Sequence, residues 1–207
     1  MLRFYEAQSP SASTLVLAHG AGAGHEHPWI VRVATGLSER GIRVVTFNFP
    51  YREQGRKLPD AGAALEEAFR LVWDAVARDT KGSLFAGGKS MGGRIASQLA
   101  ARNGLVPPAA GLVFFGYPLH PPGKPLQRRD RHLPSVTTPM LFVSGTRDPF
   151  GSPDELQALV ATLPGSALEL LERGDHSLVA TKKQDPRGGL LDRAMDVAAA
   201  WMRQLTR

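Results

Sequence analysis

The chain has 207 residues, enough for one domain with a substantial core but cramped for two. A hydrophobic content of 43% is that of a soluble globular protein, and no apolar run approaches the ~20 residues of a membrane span. With no cysteine, disulfides and thiolate chemistry are excluded, while a net charge of +6 raises the question of nucleic-acid binding.

Met1-Leu2-Arg3-Phe4-Tyr5-Glu6 lacks the apolar core and cleavage site of a signal peptide, so a cytoplasmic location is expected, with no membrane partner. A short strand is predicted over Leu2–Glu6, followed by a Ser/Pro-rich turn. Thr14-Leu15-Val16-Leu17-Ala18 is continuously apolar, as expected of a strand covered on both faces. It runs into a glycine-rich loop, His19-Gly20-Ala21-Gly22-Ala23-Gly24. A helix follows, with Pro28 in its first turn, Ile30, Val33, Ala34 and Leu37 as its buried stripe and Gly41 as its stop. Ile42–Phe49 reads as the next strand, ending in Pro50-Tyr51-Arg52.

From about Asp60 to Arg78, Leu65, Ala68, Phe69, Val72, Trp73 and Val76 recur at helical spacing. Ser83-Leu84-Phe85-Ala86 has strand character, and Met91–Arg102 can run as a helix with Ile95 and Leu99 on its apolar face. Between them lies Gly88-Lys89-Ser90-Met91-Gly92, a G-x-S-x-G pattern. A strand before and a helix after are the context of a nucleophile elbow, where a serine sits in a sharp, strained turn between residues without Cβ. The competing reading, the end of a phosphate-binding P-loop, needs a glycine at position 83, which is Ser83. The intervening residues also read as strand rather than loop.

Leu112–Phe115 is the next predicted strand, and Tyr117 to Pro139 is a proline-rich loop. The basic cluster Lys124, Arg128, Arg129, Arg131 and His132 lies in it, without aromatics to stack bases. A solvated surface is therefore expected, and no nucleic-acid partner. Met140–Ser144 is a strand leading to Gly145-Thr146-Arg147-Asp148. Ser152-Pro153-Asp154-Glu155 is a capping box, opening a helix whose stripe is Leu156, Leu159, Val160 and Leu163. Ala167–Leu171 is the last strand, followed by Gly174-Asp175-His176-Ser177, and Leu191 to Leu205 is a closing amphipathic helix.

Alternating strands and helices imply one α/β domain over residues 1–207, a mostly parallel sheet of about six to seven strands with helices on both faces. Right-handed crossovers bring the loops after the strands to one edge. Ser90, Asp148 and His176 then meet there, in the order of a Ser-Asp-His triad. Serine needs a base to take its proton, and the base needs a group that fixes its tautomer. Of the six histidines, His176 alone lies just past the final strand. Asp148 is preferred to Asp154, which belongs to a helix first turn, and to Asp130, which sits among arginines. An oxyanion hole requires two backbone N–H donors: Met91, directly after the serine, and Ala21 in the glycine-rich loop, with Gly22 as second choice. His19, Gly22, Tyr51 and Arg52 are the candidate pocket residues. His25 and His27 form an H-x-H without further ligands at recognisable spacing, so no metal site is expected.

His19-Gly20-Ala21-Gly22, Gly88 to Arg94, Gly145 to Asp148 and Gly174 to Ser177 together resemble the α/β-hydrolase superfamily. Phe49-Pro50-Tyr51 and Phe115-Gly116-Tyr117-Pro118-Leu119-His120 are similar to its small, lidless dienelactone-hydrolase-like branch, which includes the testis-expressed and KANL/Tex-type homologues. The resemblance implies a single-domain α/β-hydrolase fold without a cap domain. It also implies a serine hydrolase acting on a small-molecule carboxylic ester or related acyl substrate, with no cofactor. The nucleophile here is serine, whereas the dienelactone hydrolases proper use cysteine, so their substrate is not carried over.

Overall fold

The structure, a computed structural model, describes residues 1–8 and 12–206; the Ser/Pro-rich turn expected after the first strand lies partly outside them. Seven strands form one sheet: β1 (Leu2–Tyr5), β2 (Ser13–Ala18), β3 (Arg43–Phe47), β4 (Ser83–Lys89), β5 (Gly111–Phe115), β6 (Met140–Gly145) and β7 (Ala167–Leu171). Their spatial order is β1-β3-β2-β4-β5-β6-β7. Every pairing is parallel except β1 with β3.

The helices are α1 (Pro28–Glu39), α2 (Pro50–Glu53), α3 (Gly62–Asp79), α4 (Met91–Ala101), α5 (Pro153–Val160) and α6 (Gly189–Leu205). One face of the sheet packs on α3, α4 and α5 through Phe69, Trp73, Ile95, Leu99 and Leu156. The other packs on α1 and α6 through Val33, Leu37, Ala194, Met195 and Met202. With both faces covered, β2, β3 from Val44 onward, β5 and β6 are buried throughout, which is why they read as apolar runs rather than alternations. Among the described residues no helix is long and apolar enough to cross a membrane.

Two local departures from the sequence reading bear on function. The strand before Ser90 continues through Gly87, Gly88 and Lys89. Neighbouring backbone demands those glycines: a Cβ at Gly87 would lie 2.0 Å from the Val113 carbonyl oxygen. Also, Pro50-Tyr51-Arg52-Glu53 forms the single-turn α2, where a strand end was expected. The capping box at Ser152 forms as read, with both reciprocal bonds to Glu155.

The strand order reverses between β2 and β4. Chain from β2 crosses to β3 on one side, and β4 returns on the other, leaving a crevice at the carboxyl ends of this pair. The glycine-rich loop after β2 and the serine after β4 open onto it.

Candidate active site

Ser90 has φ 51° and ψ −114°, a conformation that costs an L-residue roughly 1–3 kcal/mol and persists only where packing enforces it. The enforcing contacts come from the flanking glycines. A Cβ on either Gly88 or Gly92 would lie 2.5 Å from the Ala18 carbonyl oxygen, so the turn closes against the end of β2 only without side chains there. The Ser90 N–H donates to the Phe115 carbonyl (3.1 Å), which anchors the turn to β5 as well.

The loops after β6 and β7 are interlocked. Gly145 meets Gly174 so closely that an added Cβ would lie 2.2 Å from the Gly174 carbonyl oxygen, and Arg147 N–H donates to that carbonyl. His176 is thereby set against Asp148, with Nδ1 2.7 Å from Asp148 Oδ2 and Nε2 2.9 Å from Ser90 Oγ. The other carboxylate oxygen of Asp148 accepts from the Phe150 N–H at 2.9 Å, and the Phe150 ring stacks on His176 with centroids 4.2 Å apart. A carboxylate only accepts, so the His176 proton sits on Nδ1 and leaves Nε2 to accept from the Ser90 hydroxyl. The Asp148 side chain is 1% exposed and the His176 ring 22%: the acid is sealed and the base faces the cavity. Asp154 is exposed in the first turn of α5. Asp130 is held by Arg128, so neither competing acid meets His176.

Ala21 and Met91 both line the cavity beside Ser90. Met91 opens α4, so its N–H has no intrahelical acceptor. Among the described residues, the backbone bonds outside regular elements leave the Ala21 N–H unengaged as well.

The four other candidate pocket residues are not brought to the cavity: His19, Gly22, Tyr51 and Arg52 are absent from its walls. His19 is a buried strut under the glycine-rich loop. Its Nδ1 bonds the Gly20 carbonyl (2.8 Å) and its Nε2 accepts from the Phe49 N–H (3.2 Å), which fixes the neutral tautomer. Burial pushes its pKa down to about 4. Tyr51 is fully buried behind it, burial raising its pKa, and Arg52 donates to the Arg56 carbonyl. Gly22 takes a positive φ of 74° and is exposed. Sequence position placed these residues on the correct edge, but the side chains of His19 and Tyr51 turn into the core. Of the H-x-H pair, His27 caps α1 by accepting from the Trp29 N–H, and the His25 N–H donates to Asn48.

The cavity measures about 530 Å³, within the range of small-molecule sites. Segment 59–65 before and within α3 walls one side, and Pro118, Arg129 and Phe150 another. The Tyr117–Pro139 loop contains only one short turn of helix, Leu133–Ser135, and no inserted helical lid. Arg128 is partly buried: it bridges Asp130 and Glu155, and Glu155 also contacts His120, which pins the loop to α5.

Lys89 escapes notice in the sequence because it occupies a variable place in its motif. Lys89 is buried at the end of β4, and its Nζ donates to the His176 carbonyl while lying 5.8 Å from the centroid of the Trp29 ring. Trp29 Nε1 in turn donates to the Ser177 carbonyl at 2.8 Å. The two side chains hold the successive carbonyls of His176 and Ser177. A lysine inside an otherwise apolar strand was the available signal, since such a group stays buried only with a partner.

Burial lowers the Lys89 pKa to about 8, against the pull of Asp148 and Asp175. A folded-state pKa below the unfolded one means that the unfolded chain binds more protons between the two values. This group's contribution to stability should therefore rise with pH from about 8 toward the ordinary lysine range, by up to about 3 kcal/mol. Lys89→Met should abolish that rise and, by freeing the His176 backbone, slow serine reactivity by about tenfold. Urea unfolding at pH 7 and pH 10 reads the first effect, and the rate of active-site labelling reads the second. An unchanged pH slope would show that the ammonium is not buried as described.

Fold and site together define a hydrolase of the α/β class. Residues 11–203 match the family described as the alpha/beta hydrolase domain, and the chain belongs to that family. Among solved structures, it is similar to a dienelactone hydrolase from Anabaena variabilis, with a TM-score of 0.78 and 20% identity over 100% of this chain and 92% of that one. Est1E from Butyrivibrio proteoclasticus, with bound ferulic acid, gives 0.78 and 14%, covering 99% and 94%. A Xanthomonas campestris serine hydrolase without lid gives 0.69 and 16%, covering 99% and 86%. At these identities the likeness is one of fold, and it agrees with the small dienelactone-hydrolase-like branch.

Proposed function

We propose that the protein is a serine hydrolase that cleaves a small carboxylic ester or related acyl compound through an acyl-enzyme at Ser90. The observation that carries this reading is the continuous chain Ser90 Oγ, His176 Nε2, His176 Nδ1, Asp148 Oδ2 at the foot of a cavity. A scaffold that only bound a partner would have no need to hold a serine in strained backbone beneath a histidine.

In this mechanism Ser90 Oγ attacks the acyl carbon as His176 Nε2 takes its proton, and Asp148 stabilises the imidazolium. The negative charge developing on the former carbonyl oxygen is met by the N–H groups of Ala21 and Met91. Collapse expels the leaving group, which takes the proton from His176. Water then attacks the acyl-enzyme with His176 again as base, releasing the acid and restoring the Ser90 hydroxyl.

Labelling with a fluorophosphonate probe and mass mapping should place the adduct on Ser90; an adduct elsewhere, or none, would overturn the assignment. The absence of a helical lid supports a preference for short, soluble acyl groups without activation at interfaces. Six prolines between Tyr117 and Pro139 explain why no such lid forms, each costing about 3 kcal/mol inside a helix. In a series of p-nitrophenyl esters, kcat/KM should peak at short chains and show no rise when micelles form. A maximum at long chains with a jump on micelle formation would contradict it.

A further inference from the structure

The cavity walls carry two guanidinium groups that the hydrolytic steps do not use. Arg94 lies one turn into α4, its backbone N–H donating to the Ser90 carbonyl at 3.1 Å, and Arg129 reaches the same cavity from the Tyr117–Pro139 loop. Outside the cavity Arg32, Arg40, Arg43, Arg56, Arg70, Arg102, Arg128 and Arg193 are each ion-paired. Among the described residues neither Arg94 nor Arg129 is. Arg94 reaches only the Gln98 side-chain oxygen, at 3.4 Å. The one acid in the cavity wall, Asp60, is bound by Arg56. Arg94 is partly buried; that burial lowers its pKa against the pull of Tyr117 and Glu66, and the charge of Arg129 pushes it down further. Two like charges lining one cavity repel each other, and an anion bound beside both would offset that repulsion.

We infer that Arg94 and Arg129 form an oxyanion subsite, so that the substrate carries a carboxylate or phosphate on the part that lies over the start of α4. This rests on the hydrolase reading for its link to turnover, but the subsite itself does not. Guanidinium forks match the paired oxygens of both anions, and a side chain one turn into α4 leans back toward the helix N-terminus, where Ser90 sits. The subsite recognises a part of the substrate remote from the bond that breaks, so its effect should fall on KM more than on kcat.

Two measurements separate the subsite from the catalytic reading. Wild type should hydrolyse the p-nitrophenyl monoester of glutaric acid with kcat/KM about ten- to a hundredfold above that of the neutral valerate ester. Arg129→Gln and Arg94→Gln should each carry that ratio toward one, chiefly through KM; Arg129 lies in a loop, so its variant is the safer one to fold. Equal values for the two esters in wild type would overturn the proposal even if both were cut efficiently. Calorimetric titration with glutarate and with inorganic phosphate needs no turnover. Binding of either that weakens at least tenfold in the double variant supports the subsite, and the preferred anion identifies its chemistry. No binding, or binding the double variant retains, overturns it. Fluorophosphonate labelling of the same preparations reports on Ser90 alone, so loss of one conclusion leaves the other standing.

Discussion

Ser90→Ala is expected to fold like the wild type and to lose turnover by about 10⁶-fold. The expectation of a retained fold follows from what holds the turn. Ser90 keeps its positive φ because Gly88 and Gly92 press on the end of β2 and because its N–H is tied to Phe115. Alanine has the same backbone demands, and the side chain gives up only the bond to His176 Nε2. Stability should therefore move by about 1 kcal/mol at most. The loss of rate follows from the absence of any other hydroxyl in contact with that nitrogen among the described residues. What remains would be the contribution of the backbone donors and of binding, with water as the nucleophile. Circular dichroism, ester hydrolysis and fluorophosphonate labelling on the two proteins give the result directly. Equal labelling of wild type and Ser90→Ala would remove both the nucleophile and the covalent mechanism.

The parts of this site that could be read from sequence were those set by topology. Once strands and helices alternate, the loops after β2, β4, β6 and β7 must share one edge, and Ser90, Asp148 and His176 lie in three of them. The glycine pattern was legible because close backbone approach leaves no other choice at Gly88 and Gly92. What could not be read was the direction of a side chain within a loop. His19 and Tyr51 follow strands on the correct edge yet point into the core, His19 held by Gly20 and Phe49. Arg128 belonged to a basic cluster on sequence; Asp130 stands two residues away, but its second partner, Glu155, lies across a fold contact that no spacing reveals. Lys89, Phe150 and Trp29 were passed over for the same reason. Each acts on His176 or its neighbours from a different element, Lys89 from β4, Phe150 from the loop after β6 and Trp29 from α1, and such contacts exist only once these have met.

Asp148→Asn should leave the fold intact and lower kcat by roughly 10⁴. The hydrogen bonds already present decide which way the new amide faces. One carboxylate oxygen of Asp148 accepts from the Phe150 N–H, and only the amide oxygen can replace it there. The NH₂ group must then take the place of the oxygen now 2.7 Å from His176 Nδ1. A donor facing Nδ1 obliges that nitrogen to accept, so the neutral ring carries its proton on Nε2, toward Ser90. The hydroxyl, 2.9 Å away, then meets a donor where it needs an acceptor, and the base is in the wrong tautomer. The imidazolium formed at each step also loses its counter-charge. Asp154→Asn is the matched control, because that side chain is exposed in the first turn of α5 and touches none of these groups. It should cost no more than the ~0.5 kcal/mol of a helix-terminus charge and leave kcat within about twofold. Steady-state rates on one ester for both variants make the comparison. If Asp154→Asn proves damaging while Asp148→Asn is nearly silent, the acid that orients His176 has been misassigned, and with it the tautomer on which the proposed chemistry depends.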